Sequence, residues 1–258
     1  MADEPHPPGF IDLNCDLGEG VGDDAAVLPY VTSANVACGG HAGDPTTMRR
    51  TVAAAVAAGV AIGAHPGLAD REHFGRRALA LPPDEITDLV LAQVGALIAI
   101  ARQFRTRVAH LKPHGALYHM ATSRPEVADA IVRAVQIARD DLIVVGAPSS
   151  ALARSAAAHG LRFAGEIFAD RQYGDDGRLL ARSDPAAFVE LDPGAAATRA
   201  VEMVQRGVVF SAAGLALPQR GQTLCLHGDD PEVVARARAL RAALVAAGIT
   251  VAPLGRWS

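Results

Sequence analysis

Short apolar runs alternate with longer amphipathic runs rich in Ala and Leu along the whole chain. Short runs of this kind bounded by turn residues read as strands, and 3.6-period runs as helices. Strands are predicted at 10–14 (FIDLN), 34–37 (ANVA), 60–64 (VAIGA), 107–111 (RVAHL), 142–147 (LIVVGA), 161–167 (LRFAGEI) and 222–226 (QTLCL), with a further one at 249–252 (ITVA). Helices are predicted at 45–58, 83–104, 124–139, 149–158, 194–206 and 231–247. Asp44-Pro45 places a capping acid before proline at a first helical position, and Pro82-Pro83-Asp84-Glu85 and Asp230-Pro231-Glu232 put acids in first turns. Gly59, Gly160, Gly207 and Gly248 stand where helices stop. Strand followed by helix, over and over, implies parallel pairing with right-handed crossovers. Two α/β architectures satisfy this pattern: a closed β/α barrel, seven-stranded or a distorted TIM-like form, and an open doubly wound sheet.

The residues just past each predicted strand favour the barrel. The first strand contains Asp12 and leads into Asn14, Asp16 and Glu19; the second leads into Cys38-Gly39-Gly40-His41 and the third into His65, Asp70 and Arg71. The fourth gives His110, Lys112 and His114, the sixth Glu166, Asp170 and Arg171, and the seventh His227 and Asp229. A barrel gathers its strand ends at one mouth, where its active site lies, whereas an open sheet concentrates a site at one switch point. Taken singly, each residue has a plainer reading. His110 alternates with apolar neighbours like a core histidine, Asp12 fits a buried cap, and the cysteines fit small buried hydrophobes. His6, His73, His119 and His159 fall off the pattern and read as surface residues. The joint placement is what the plainer readings leave unexplained.

Composition narrows the classes. At 258 residues, 50% hydrophobic and 20% charged, the chain can build a sizeable core as one domain spanning 1–258, with residues 1–9 a flexible tail. A net charge of −4 without a basic block argues against a nucleic-acid partner. No apolar run spans a bilayer and the first residues lack the features of a signal peptide. The three cysteines, Cys15, Cys38 and Cys225, suit a reducing cytoplasm and no disulfide framework. Of 24 Lys and Arg residues only Lys112 is lysine. A composition that replaces Lys by Arg elsewhere but keeps it within HLKPHG marks a position needing a compact, titratable ammonium.

No Walker loop, completed G-x-G-x-x-G, G-x-S-x-G or H-E-x-x-H occurs. The chain does carry DLNCDLGEG (12–20), SANVACGGHAGDP (33–45), GAHPG (63–67), FGRR (74–77), KPHGALY (112–118), EIFADRQY (166–173) and CLHGD (225–229). This ordered set, from about residue 10 to about 250, resembles the LamB/YcsF family, whose characterised members are the A subunit of bacterial ATP-dependent 5-oxoprolinase. Gly40, Gly67 and His119 depart from the residues usual in that family, and the Arg182–Ala187 segment lacks its usual glycine. The resemblance implies a barrel of the glycoside hydrolase/deacetylase type. It implies hydrolysis of 5-oxo-L-proline to L-glutamate coupled to ATP with Mg²⁺, in a complex with separate B and C subunits.

The residues suit the hydrolytic half of such a reaction. Asp12, Asp16 or Glu19 could act as general base, helped by His41 or His65. Lys112 could bind the substrate carboxylate or the phosphorylated oxygen, and Arg171 offers a fork for either anion. Asn14 and Asn35 could orient substrate or an oxyanion. Glu166 and Asp170 could orient these cations or serve as a second acid/base pair. Tyr118, His114, His227 and Asp229 complete the expected substrate-binding set. A divalent metal could take Asp16, His41 and His65, or His114 with His227 and Asp229. The competing readings are a stand-alone metal-dependent carbohydrate or amide deacetylase, and a non-catalytic scaffold protein within the complex.

Overall fold

The computed structural model describes residues 9–139, 141–229 and 231–255, so the expected tail, apart from Gly9, lies outside the described residues. In chain order the elements are β1 (Phe10–Leu17), α1 (Asp24–Val27), β2 (Ser33–Ala37), α2 (Pro45–Ala57), β3 (Ala61–His65), α3 (Pro83–Gln103), β4 (Val108–Leu111), α4 (Gly115–Ser123), α5 (Pro125–Ala138), β5 (Ile143–Gly146), α6 (Ala151–Ala158), β6 (Phe163–Phe168), α7 (Pro193–Arg206), β7 (Val208–Phe210), β8 (Ala216–Pro218), β9 (Thr223–Leu226), α8 (Val233–Ala246) and β10 (Thr250–Val251). Strands β1 to β6 pair in sequence, all parallel, and β9 pairs with both β6 and β1, so seven strands close into a barrel. β10 continues the seam by pairing with Phe10 and Ile11 ahead of the β1–β9 contact.

Alternation along β1 explains the closure. Ile11, Leu13, Cys15 and Leu17 are buried in the large apolar core. Asp12, Asn14 and Asp16 point the other way, into the barrel, where they meet inward residues of the neighbouring strands. The interior is therefore polar towards the mouth. Ile143, Val145, Ala164 and Leu254 make a separate apolar cluster, in which β5, β6 and the segment after β10 meet. Local signals place the helices: Asp44 accepts from Thr47 N at the start of α2, Ser150 from Ala153 N at α6, and Asp192 from Gly194 N and Ala195 N at α7. Gly207 closes α7 with φ 63°.

Three features depart from the sequence pattern. β1 runs on to Leu17, because in this barrel polar Asn14 and Asp16 are interior positions of a strand and not a loop beyond it. α4 occupies Gly115–Ser123, where the sequence pattern predicts no helix. The β7–β8 hairpin is short and lies outside the barrel. The expected acidic start at Asp230 lies outside the described residues; α8 begins at Val233. Among the described residues no helix is long and apolar enough to cross a membrane.

Candidate active site at the barrel mouth

β1, β4, β6 and β9 bring a charged core together. Lys112, just past β4, lies 2.8 Å from Asp16 Oδ1 and 2.9 Å from Glu166 Oε1, with Cys225 Sγ at 3.1 Å and Asn14 Oδ1 at 3.4 Å. All of these residues are at most 5% exposed, so none of the three charges is screened by solvent. Burial opposes the ammonium, but the Asp16 and Glu166 carboxylates hold Lys112 well above the usual lysine value. Burial likewise opposes ionisation of Asp16, yet His65 and Lys112 hold its carboxyl well below the usual range. Burial pushes the Cys225 thiol well up despite the nearby lysine, so it is a filler and not a nucleophile. The three cysteines are free and buried.

Amides fix this core from below. Asn14 Nδ2 donates to Glu166 Oε1 at 3.1 Å and to Thr223 Oγ1 at 2.6 Å. Asn35 Nδ2 donates to Asn14 Oδ1 at 2.7 Å and Asp16 Oδ1 at 2.9 Å, and Asn35 Oδ1 accepts from His110 Nε2 at 2.7 Å. Burial pushes His110 down to about 3, so it is a neutral, positioning ring. Its ring fills the space beside Gly63, where a Cβ would stand 2.0 Å from Nε2. Asp12 sits a register lower. Its Oδ1 accepts from Thr32 and Ser33 at 2.7 Å each, and its Oδ2 from Thr223 at 2.5 Å. Burial, against those three bonds, pushes Asp12 up to about 6.

A second cluster adjoins the first. Glu19, His41, His65 and His114 offer donor atoms that all lie within 4.8 Å of one another. His41 and His114 stack with centroids 3.5 Å apart, and Gly75, at φ 64°, leaves room where a Cβ would stand 2.6 Å from His41 Cβ. Asp16 Oδ2 lies 3.3 Å from His65 Nε2 and links the clusters. Asp16, Cys225 and His227 form a smaller donor group.

The remaining expected residues lie around this centre. Asp170 Oδ2 accepts from both the backbone and the ring Nδ1 of His227 at 2.9 Å, and His227 stacks on Phe168. Asp229 pairs with Arg76 at 2.6 Å and Arg182 at 3.3 Å, tying together loops after β3, β6 and β9. Arg171 is 2% exposed and donates to the carbonyls of Leu180 and Ala187, so its fork is engaged by the loop after β6. Tyr118 and Glu166 line a cleft of about 620 Å³, with Phe168, Tyr173, Ser149 and Arg178 among its other walls. The Tyr118 hydroxyl and Glu166 Oε2 have no protein partner there. Ser149 holds a left-handed backbone at φ 58°, a conformation costly for a residue with a Cβ. His119 is exposed and lines the same cleft.

Residues that the sequence reading passed over complete the support. Gln93 on α3 bonds Gly40 N, Gly67 N and Gly67 O, joining the loops after β2 and β3. Its only sequence signal is an amide on an apolar helix face. Phe74 contributes its carbonyl to His114, which no pattern of side chains could reveal.

A closed parallel β/α barrel whose strand ends converge on paired carboxylates, a buried lysine and clustered histidines has the build of a hydrolase of polar small molecules. The chain belongs to the LamB/YcsF family, whose model matches residues 11–258. It is 52% identical over 252 residues to the A subunit of 5-oxoprolinase from Methylococcus capsulatus, covering 96% of each chain. It is 47% identical to that of Bacillus subtilis, over 93% of this chain and 95% of the relative. The crystal structure of a lactam utilization protein from Thermus thermophilus superposes with a TM-score of 0.88 at 42% identity, covering 94% of this chain and 99% of that one. The catalytic domain of a peptidoglycan N-acetylglucosamine deacetylase from Eubacterium rectale shares the fold, with a TM-score of 0.52 at 13% identity, covering 100% of this chain and 94% of that one.

Proposed function

We propose that this chain is the A subunit of a 5-oxoprolinase and carries the hydrolytic half of the reaction 5-oxo-L-proline + ATP + 2 H2O → L-glutamate + ADP + phosphate. The observation that carries this reading is the Lys112 ammonium held between Asp16 and Glu166, with Glu166 lining a polar cleft and its buried Oε2 without a protein partner. The names of relatives at 47–52% identity supply the substrate. Separate B and C subunits complete the enzyme and transfer the γ-phosphoryl group of Mg²⁺-ATP to the lactam oxygen, since no nucleotide loop occurs in this sequence. The three free thiols and the need for ATP support a cytoplasmic complex.

The lactam is unstrained, and its amide resonance resists water. Phosphorylation of its oxygen makes the ring carbon electrophilic. Glu166 Oε2 then takes a proton from the attacking water, and that proton goes to the ring nitrogen as the C–N bond breaks. The product of ring opening is an acyl phosphate, which the second water converts to glutamate and phosphate. Lys112 stays protonated and stabilises charge on the oxygens, while Asn14, Asn35 and Asp16 hold it in place. Tyr118, which lines the same cleft, donates to the substrate, His227 is held by Asp170, and Asp229 ties the surrounding loops together.

The test is reconstitution: the chain with 5-oxoproline and Mg²⁺-ATP, with and without the B and C subunits, measuring glutamate and ADP together. Coupled formation of both only in the full complex is expected. Turnover of an acetylated sugar by the chain alone would replace this reading with a stand-alone deacetylase, and full glutamate formation by B and C without this chain would leave it a scaffold.

A further inference from the structure

We infer that Glu19, His65 and His114 form a binding site for one divalent transition-metal ion of the Zn²⁺ class, with solvent as the fourth donor. The inference does not depend on the identity of the substrate. It rests on where the ring protons must be. His65 Nδ1 lies 2.7 Å from the carbonyl of Lys112, and His114 Nε2 lies 2.8 Å from the carbonyl of Phe74. A carbonyl only accepts, so each of these nitrogens carries its ring's proton. In the neutral His114 ring Nδ1 then presents a lone pair, which faces His65 Nε2 at 3.0 Å, and Asp16 Oδ2 lies 3.3 Å from that same His65 nitrogen. A positive charge has to stand among these acceptors: the proton that Asp16 favours on His65, or a metal ion that replaces it. Glu19 Oε1 adds a third acceptor, 3.3 Å from His114 Nδ1 and 3.8 Å from His65 Nε2. The same oxygen lies 3.0 Å from His41 Nε2, and His41 Nδ1 is buried with no partner.

The spacing matches a tetrahedral ion. Donors at about 2.0–2.1 Å from Zn²⁺ stand about 3.3–3.4 Å apart along a tetrahedron's edges. The three edges among Glu19, His65 and His114 are 3.0, 3.3 and 3.8 Å. Two imidazoles and one carboxylate suit Zn²⁺, Co²⁺ or Ni²⁺ and disfavour Mg²⁺ and Ca²⁺, which take oxygen ligands. The backbone carbonyls behind His65 and His114 are the outer partners that orient metal-bound histidines. A cleft of about 290 Å³, lined by Glu19, His41, Arg71 and Phe74, opens onto the cluster and gives an ion a way in. No relative's name mentions a metal, and the expected sets divided the cluster: Asp16 belongs to the link with Lys112, and His227 and Asp229 lie with other partners.

The full-length chain is stripped with a chelator, then titrated with Zn²⁺ by calorimetry and with Co²⁺ by visible spectroscopy. One equivalent of Zn²⁺ is expected with submicromolar affinity. Co²⁺ should give intense ligand-field bands of four-coordinate geometry, displaced by Zn²⁺. His65→Ala and His114→Gln should each weaken Zn²⁺ binding at least 100-fold, with His159→Gln as an unaffected control and circular dichroism confirming the fold. The wild-type Co²⁺ spectrum needs no variant, so a misfolded variant does not blunt the test. Binding below a tenth of an equivalent, or an octahedral Co²⁺ spectrum unchanged in both variants, overturns the inference. A shared proton would then occupy the gap between His65 and His114. Loss of metal binding would leave the 5-oxoprolinase reading intact, because the reconstitution assay reads products and not metal.

Discussion

Replacing Lys112 separates charge from shape at the centre of the site. Lys112→Met keeps the stem and deletes the ammonium, leaving Asp16 and Glu166 buried without their partner at 2.8 and 2.9 Å. Breaking a buried pair by removing one partner costs about 3–5 kcal/mol, or roughly 6–20 °C in Tm at about 2–4 °C per kcal/mol for a domain of this size class. Adding Glu166→Gln removes one stranded charge, so the double variant should be more stable than the sum of the two single changes by about 0.5–3 kcal/mol. Lys112→Arg keeps the charge but forces a wider planar head into a pocket closed by Asn14, Asp16, Glu166 and Cys225. Overpacking costs about 1–3 kcal/mol in stability. A displaced charge-assisted bond costs about 1.5–3 kcal/mol, which is roughly 10- to 150-fold in turnover if the bond acts in the transition state. The assays are urea unfolding followed by circular dichroism and glutamate formation by the reconstituted complex. Near-normal turnover of Lys112→Arg would refute the shape requirement, and strict additivity of Lys112→Met with Glu166→Gln would refute the ion pairs.

Other outcomes follow from particular contacts. Asp12 binds its proton more tightly folded than unfolded, with its carboxyl pushed from 3.8 up to about 6. Its contribution is therefore fully present below pH 3.8 and falls away by about 3 kcal/mol as pH rises through 6. Unfolding free energies of wild type and Asp12→Asn across that range should converge or cross by this amount, and a pH-independent gap would contradict it. Tyr118→Phe should lower kcat/KM about 2- to 12-fold, the worth of one neutral hydrogen bond, without loss of Tm, because the hydroxyl has no protein partner; a drop in Tm with unchanged kinetics would make it structural. Gly63→Ala places a Cβ 2.0 Å from His110 Nε2 and should cost at least about 1–3 kcal/mol in urea unfolding; a neutral outcome would show that the ring yields freely.

Much of the fold was legible because the strands and helices carry opposite periodicities and their helix caps are local. The closing of the barrel was legible only through chemistry: polar residues recurring past so many strands have to share one mouth. The same polarity misplaced the end of β1, since Asn14 and Asp16 alternate inward in a strand whose interior is not apolar. Lys112 stood out through composition, and it lies at the centre of the charged core. Arg171 resembled it by residue type alone; carbonyls supplied by a later loop, at Leu180 and Ala187, take up its guanidinium. Asp12 differs from Asp16 only in depth, and depth depends on Thr32, Ser33 and Thr223 arriving from two other strands. The grouping of His114 with Glu19, His41 and His65 depends on the turn after β3 that brings Phe74 to it. Such long-range meetings have no spacing in the sequence.

The central claim is that water attacks the activated lactam at the Asp16–Lys112–Glu166 core of this chain. The direct measurement is the ratio of glutamate to ADP formed by the complex reconstituted with Asp16→Asn, whose amide cannot hold Lys112 as the ionised Asp16 does at 2.8 Å. Wild type should form glutamate and ADP in equal amounts. The variant should form glutamate roughly 10- to 150-fold more slowly, as expected when a charge-assisted contact worth about 1.5–3 kcal/mol in the transition state is lost, with a first equivalent of ADP still released by the partner subunits. Glutamate formation at the wild-type rate by a correctly folded Asp16→Asn complex would contradict the account.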